Sequence, residues 1–240
     1  MHPSNPETTP RLFVPDALAA GQPVALAPAQ AHYLSRVMRR QHNDPVRLFN
    51  GRDGEWLARL HAIGRNNAES VPQTQLRPQR AEPDIWLVFA PLKREATELV
   101  VEKATELGVG RLLPVFTERT NASRINAERW RAIATEAAEQ CERLSVPDVA
   151  EPVRLPALLA AWPPARLLVA AIERQGGARI QPVAGPTALL IGPEGGFAAL
   201  EVELLRRHPF VSMAGLGPRI LRAETAAIVG LALLQSRDDG

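Results

Sequence analysis

Cysteine is almost absent: Cys141 is the only one in 240 residues. A single thiol closes no internal disulfide, which excludes a secreted disulfide scaffold and fits a reducing, cytoplasmic setting. Lysine is nearly as scarce, with two residues beside twenty-six arginines. No apolar run approaches the roughly 18–20 residues that a membrane span needs. The longest, Ala226 to Leu234, is about half of that. The opening MHPSNPETTP has neither a basic region nor an apolar stretch and does not read as a signal peptide. Common catalytic signatures are missing too. There is no phosphate-binding GxxxxGK[ST], no GxGxxG after the first buried strand, no GxSxG elbow and no HExxH. Five scattered histidines and one cysteine do not make a zinc site of usual composition.

What is present is a globular composition, 45% apolar and 22% charged, in a chain long enough for one large or two ordinary domains. The net charge of +2 hides an asymmetry. Residues 1–80 carry ten Arg against six acids (+4), whereas residues 81–240 carry sixteen Arg and two Lys against twenty acids (−2). A basic front half suits an anionic partner such as nucleic acid, and an Arg-biased solvated surface would give the same count.

The front half reads as short strands: RLFV (11–14), PVAL (23–26), VRLFN (46–50) and EWLARLHAI (55–63). Asn50-Gly51 and Asp53-Gly54 supply hairpin turns between the last two. In EWLARLHAI, Trp56, Ala58, Leu60 and Ala62 alternate against Arg59 and His61, a period of two with one wet face. One helix interrupts the strands, opened by Pro28 and striped by Leu34, Val37 and Met38. This pattern predicts a small barrel of about 70 residues. RPQRAEPD (77–84) has no large apolar residue and marks the boundary. The predicted division is residues 1–76, a linker at 77–84, and residues 85–240.

Beyond the boundary the apolar runs become continuous: IWLVFA (85–90), LLPVF (112–116), LLVAAI (167–172) and ALLI (188–191). Such runs suit strands buried on both faces of a parallel sheet. Helices alternate with them, which predicts an α/β domain. One helix has positions 92, 96, 99, 100, 103, 104 and 107 on a face and stops at Gly108. A second is capped by Asn126, with Trp130, Ile133, Ala134, Ala137, Cys141 and Leu144 on its stripe. The last, Ala223 to Gln235, is apolar almost all round and so belongs in a core or an interface. Low complexity is confined to the Pro-rich start and to Pro152–Ala165, read as a connection with a short helix.

Two segments carry possible chemistry. In LLIGPEGGF (189–197) a buried strand runs into three glycines around Glu194, and a Glu/Leu-rich helix follows. Ligands of open α/β sheets bind at the carboxyl ends of strands, where glycine lets backbone approach closely. A tight strand-to-helix turn would use the glycines equally, but would not need the carboxylate. GLGPRILRAETA (215–226) is a second loop of this kind and brings Arg219, Arg222 and Glu224 together, as a ligand site or as a surface ion-pair cluster.

The sequence resembles the small-subunit ribosomal RNA uridine N3-methyltransferase family of the SPOUT class. The resemblance covers nearly the whole chain. It rests on HYLSRVMRR (32–40), VEKATELGVGRLLPVFTERT (101–120), EAAEQCERLSVP (136–147), IGPEGGF (191–197) and LGPRILRAETA (216–226). Ala198 and Ala223 depart from it, where Ser and Thr are usual. The resemblance implies a PUA-like, RNA-binding β-barrel at the N-terminus and a SPOUT-type parallel-sheet domain with a trefoil knot at the C-terminus. Chain topology rules alone would not suggest a knot. It also implies S-adenosylmethionine held by Ile191, Gly192, Glu194, Gly195 and Gly196, and by Leu216, Gly217, Ile220 and Leu221. The implied reaction is methylation of N3 of a uridine, with no metal. That nitrogen has the acidity of a phenol, a pKa of roughly 10. Arg222 would stabilise the uracil anion, and Glu224 or Glu194 would accept the proton. Arg36, Arg39 and Arg40, at i, i+3 and i+4 of one helix, would meet phosphates together with Arg11. Lys103, Gln140 and Arg143 also match family positions, and Lys103 suits a structural ion pair. The implied partners are small-subunit ribosomal RNA and a second copy of the chain in a two-fold homodimer. An inactive RNA-binding assembly factor and a SPOUT enzyme acting on transfer RNA are the alternatives. The intact loops argue against the first and the N-terminal half against the second.

Overall fold

The computed structural model describes residues 9–121, 125–172 and 179–236. The Pro-rich start lies mostly outside them. Internal contacts divide the chain into two units: Met1–Ala81 with Ala138–Val146, and Glu82–Ala137 with Pro147–Gly240.

The first unit is a five-stranded sheet built from β1 (Arg11–Phe13), β2 (Val24–Leu26), β3 (Pro45–Phe49), β4 (Glu55–Ile63) and β5 (Ala68–Arg77). The strand order is β1-β3-β4-β5-β2. All pairs are antiparallel except β1 with β3. The β3–β4 turn is tied by Asn50, whose Oδ1 accepts the N–H groups of Arg52 and Asp53. Asp53 in turn accepts from the Leu18 N–H and the Asn50 side chain, which holds its carboxyl below the usual range. Leu12, Val14, Val46, Leu48, Ala58 and Leu60 form the centre of the core. Strand β5 has no counterpart in the sequence reading. It carries Pro72, a polar second half and bulges against β4, all of which blur a period of two.

The helix of this unit departs from the expected one. α1 (Pro28–His32) gives way to a π-helical turn, Tyr33–Val37, closed by Met38 N–H to Tyr33 O at 3.0 Å. The wider turn shifts the angular phase of every later residue. Leu34 is buried as expected, but Val37 is 63% exposed.

Around Glu55, which is 2% exposed, three guanidiniums converge. Arg11 Nε lies 2.5 Å from its carboxylate, Arg77 Nε 2.7 Å and Arg47 3.8 Å. Arg11 also donates to Ala138 O (2.7 Å) and Arg143 O (2.5 Å) and lies over the Phe49 ring. Arg47 pairs with Glu142 at 2.8 Å and Arg77 donates to Glu142 O. Burial pulls the Arg11 guanidinium down from its ordinary value, against the pull of Glu55.

The second unit is a parallel sheet. Its strands are β6 (Ile85–Phe89), β7 (Arg111–Phe116), β8 (Asp148–Val149), β10 (Leu167–Ala171), β11 (Thr187–Ile191) and β12 (Val211–Ala214), with β9 (Val153–Arg154) against β7. The order is β12-β10-β11-β6-β7-β8, and every pair is parallel. Helices α2 (Arg94–Glu106), α3 (Ala127–Gln140), α4 (Leu155–Ala160), α5 (Ala199–Arg206) and α6 (Ala223–Gln235) connect the strands or follow them. Alternation along β11 explains the continuous apolar runs. Ala188 and Leu190 pack with Leu155, Leu159, Val202 and Leu205 of α4 and α5, while Leu189 meets Gly230 of α6. A Cβ at Gly230 would lie 2.7 Å from Leu189 Cδ2, so glycine sets how closely α6 approaches the sheet.

Two helix faces differ from expectation. In α2 the buried residues are Thr97, Val100, Val101, Ala104 and Thr105, and Leu99 is 37% exposed. The threonines take core positions because their hydroxyls bond backbone, Thr97 to Leu92 O and Thr105 to Val101 O. Lys103 lies between Glu102 (2.7 Å) and Glu106 (2.8 Å), which raise its pKa. α3 is capped by Asn126, whose Oδ1 accepts the Arg129 N–H, but it ends at Gln140. Cys141 is therefore exposed and off the stripe. No glycine marks this stop. Glu142 takes the left-handed conformation itself (φ 62°), and Arg11 satisfies the terminal carbonyls.

Replacing Glu55 by Gln leaves three arginines around a neutral group. Uncompensated buried charge of this kind costs about 3–5 kcal/mol. Urea unfolding of Glu55→Gln is expected to show a loss of that order, and a loss under about 1 kcal/mol would show the cluster to be solvent-screened.

Candidate active site

The carboxyl ends of β10, β11 and β12 open on one cavity of about 520 Å³, within the range of small-ligand pockets. Strand β11 ends at the buried Ile191 and runs into Gly192-Pro193-Glu194-Gly195-Gly196. The Gly196 N–H returns to Pro193 O at 2.8 Å. This turn requires φ +67° at Gly196, a conformation that side chains with a Cβ rarely adopt. A Cβ at Gly192 would sit 2.8 Å from the Phe197 ring, so that position is fixed by close approach. Arg119 Nη1 donates to Gly195 O at 2.8 Å and pins the loop from outside. α5 then starts at Ala198. Its methyl caps nothing, but the Glu201 carboxylate accepts both the Ala198 N–H (2.9 Å) and the Glu118 N–H (2.8 Å).

The second loop leaves β12 and reaches α6. Leu216, Ile220, Leu221 and Arg222 line the same cavity, as do Ala223 and Ala226 from the first turn of α6. Arg222 is the N-terminal flanking residue of α6, with extended backbone and Arg222 O accepting the Ala226 N–H. Ile220 is 60% exposed at the mouth.

Of the residues expected to hold cofactor, Ile191, Gly192, Glu194, Gly195, Gly196, Leu216, Ile220 and Leu221 all line the cavity. Gly217 (φ +130°) lies beside Leu216 without lining it. Glu224 sits half-buried in the first turn of α6, also outside the lining. Among the described residues, Glu194 and Arg222 are the only charged side chains on the wall. The remaining walls are apolar, including Ala171 and Ile172 at the end of β10, which sequence reasoning did not single out. Their signal was available, since a third strand ending beside the other two must share their edge. Among the described residues no cluster of His, Cys, Asp or Glu could hold a metal, and no helix is long and apolar enough to cross a membrane.

The arginines expected at phosphates fare differently. Arg11 is buried with its guanidinium taken up by Glu55 and main-chain carbonyls, so it is a structural residue and not a phosphate ligand. Arg36 and Arg39 are exposed and Arg40 is half-buried. They do not form an i, i+3, i+4 face, because the π-turn intervenes and Arg39 has φ 51°. Gln140 is exposed at the end of α3, and Arg143 donates to Ser145 Oγ at 3.0 Å.

A family model described as an RNA methyltransferase domain matches residues 79–235, and one described as an RNA methyltransferase PUA domain matches residues 26–73. Ribosomal RNA small subunit methyltransferase E of Rickettsia conorii is 32% identical over 227 residues, 92% of this chain and 93% of its own length. The chain belongs to the ribosomal RNA small subunit methyltransferase E family. The Synechocystis member is 35% identical over 227 residues, 89% of this chain and 73% of its own. Among solved structures, a Legionella pneumophila methyltransferase in complex with S-adenosylmethionine aligns with TM-score 0.86 and 31% identity, over 95% of this chain and 97% of that one. Methyltransferase E of Neisseria gonorrhoeae, bound to S-adenosylmethionine, aligns with TM-score 0.83 and 27% identity, over 93% and 95%. In this chain the Ala198 and Ala223 departures leave α5 and α6 intact.

One hydrogen bond holds the glycine turn from outside. Arg119→Ala is expected to speed amide exchange at Gly196 about fivefold, the equivalent of a net bond of about 1 kcal/mol. Unchanged exchange would show that the turn holds itself.

Proposed function

We propose that the chain transfers a methyl group from S-adenosylmethionine to N3 of a uridine in small-subunit (16S) ribosomal RNA. The observation that carries this is the cavity itself: two glycine-bearing loops on one strand edge, largely apolar walls, and, among the described residues, Glu194 and Arg222 as its charges. These residues fit the cofactor. Glycine main chain offers polar groups at close range, and a Cβ would meet nothing within 4 Å at Gly196 or Gly217, so space is open there. When bound, S-adenosylmethionine supplies a methyl group on a sulfonium, a leaving group that needs no acid.

The chain's task is to hold uracil and manage one proton. Arg222, fixed at the start of α6 and lining the cavity, stabilises the negative charge that spreads over the ring oxygens as N3 loses its proton. Glu194 lies on the cavity wall and Glu224 two residues beyond Arg222, and one of them accepts that proton directly or through water.

The same reading assigns residues 1–76 to RNA binding, 77–84 to a linker and 85–240 to the methyltransferase, with the cofactor loops forming the trefoil knot. Arg36, Arg39 and Arg40 contact phosphate in this reading, a cytoplasmic location follows from the substrate, and the RNA is met in an assembled particle. The working form is a two-fold homodimer. It is supported by Leu99 on α2 and by Ile228, Val229 and Leu233 on α6, all apolar and incompletely covered within one chain. Light scattering at micromolar concentration tests it, and a monomeric mass would refute it.

Arg222→Ala is expected to lower kcat about a hundredfold or more with S-adenosylmethionine affinity retained. Comparing Glu194→Gln with Glu224→Gln identifies the acceptor by which one loses methyl transfer while S-adenosylmethionine affinity is retained. Gly196→Val places a β-branched residue at a left-handed φ in the loop and is expected to abolish calorimetric cofactor binding. Retained affinity would remove the loop from the site. Mass spectrometry of ribosomal RNA from a deletion strain, lacking N3-methyluridine until the gene is restored, tests the reaction as a whole.

A further inference from the structure

The second unit has another cavity of about 520 Å³, on the same edge of the sheet. It opens where β6 ends, and β6 is the neighbour of β11: Ala90 N–H donates to Ile191 O at 3.0 Å. The sheet order turns outward in opposite directions from this pair, the place where open parallel sheets leave a crevice. The lining is largely cationic and polar. Lys93, Arg94 and Arg129 face Glu98, the only acid among the described lining residues, with Asn121 and Asn126 beside them and Pro91, Leu92 and Trp130 as the apolar part of the wall.

The charges are arranged and not merely close. Glu98 accepts Arg94 Nε at 2.9 Å and Arg129 Nη2 at 3.3 Å, so one carboxylate orients two guanidiniums. Those contacts hold the Glu98 carboxyl below its ordinary range, so it stays ionised. Lys93 is exposed and has no ionic partner among the described residues. Among the described residues the wall therefore carries two more positive charges than negative ones. Lys93 and Asn126 also precede the first turns of α2 and α3, whose N-terminal ends add to the positive potential. This charged side of the wall suits a phosphate.

We propose that this cavity is a phosphate subsite for the substrate RNA: it takes a backbone phosphodiester flanking the target uridine, with Lys93 as the contact and the Arg94–Glu98–Arg129 set as its charged surround. The proposal rests on the RNA methylation argued above. Its contribution is positional. A phosphate held at the end of β6 places the attached nucleotide along the edge that continues into the Ile191 loop, so the base is delivered from the side of the sheet where β11 ends.

The test uses the full chain with small ribosomal subunits from a strain lacking the methylation. Lys93→Ala is expected to raise KM for the subunit about tenfold, to leave kcat and S-adenosylmethionine affinity within about twofold, and to reduce the salt slope of RNA binding by about one. Lys93→Arg, which keeps the charge, should restore most of the loss. Melting temperatures of both variants should match the parent, because Lys93 holds no ion pair to lose. Wild-type KM and salt slope in Lys93→Ala would overturn the subsite, as would an equal loss of cofactor affinity. If titrated inorganic phosphate perturbs the amides of Lys93 and Arg94 while Lys93→Ala leaves RNA binding unchanged, the cavity is a small-anion site and the RNA assignment falls. A parent protein that binds RNA but makes no N3-methyluridine would sink the reaction, while the salt slope would still judge the subsite.

Discussion

A parallel sheet covered on both faces leaves its backbone accessible only at its ends, and the functional part of this protein follows from that constraint. The central strand β11 of the second unit has apolar residues on both sides: α6 lies against Leu189, and α4 with α5 against Ala188 and Leu190. At the amino edge the ends are closed by Arg166. It donates to Asp84 O and Thr187 O, pairs with Asp84 and lies over Trp86. At the carboxyl edge the ties, Arg119 to Gly195 O and Glu201 to Glu118 and Ala198, hold the loops and leave the cavities open. There β10, β11 and β12 run into loops whose glycines leave space, and β6 runs into the cationic wall of Lys93. Cofactor cavity and cationic cavity share an edge because only this edge is open.

The arginine excess of the first eighty residues has two fates that composition cannot separate. Arg11, Arg47 and Arg77 converge on Glu55, and Arg47 and Arg77 also bind Glu142. Glu55 and Glu142 offset two of their three positive charges, so the cluster leaves little field outside. The external field of this unit therefore comes from residues such as Arg36 and Arg39, which are exposed. Guanidinium suits the buried role because its planar fork can serve a carboxylate and several carbonyls at once, as Arg11 does. An ammonium could not hold that set of partners, so the scarcity of lysine matches at least this cluster.

How far the sequence reveals this depends on whether a feature is set locally or by distant partners. α6 is legible residue for residue, because a run apolar all round has no other place to go. The strand ends β6, β7, β10 and β11 are legible within a residue or so for the same reason. The cavity loops are legible because glycine and proline beside a buried strand carry their conformation with them. Failures occur where a remote group decides. α3 stops at Gln140 because Arg11, more than a hundred residues earlier, accepts responsibility for its last carbonyls and lets Glu142 turn left-handed. The π-turn after His32 has no composition signal, and it removes the arginine face that α-helical spacing implies. The buried stripe of α2 is rotated because Thr97 and Thr105 satisfy their hydroxyls on main chain and behave as core residues.

The two alanines that depart from the family pattern show how little of the site depends on side chains at its helix starts. At Ala198 the lost hydroxyl would have capped the start of α5, an interaction generally worth about 1 kcal/mol. Glu201 bonds the Ala198 N–H from within the helix and also holds Glu118 of the loop after β7, so the start of α5 stays coupled to the neighbouring strand end. At Ala223 a small residue lines the cavity at the point where α6 begins, and Ala226 does the same one turn later. Together they let the helix approach the cofactor space with almost no side-chain bulk, while Arg222 immediately before them carries the charge. In the proposed reaction, position comes from main chain and small residues, and chemistry from Arg222 with a glutamate as proton acceptor. That division explains why loops of glycine, proline and alanine surround one arginine and one exposed glutamate.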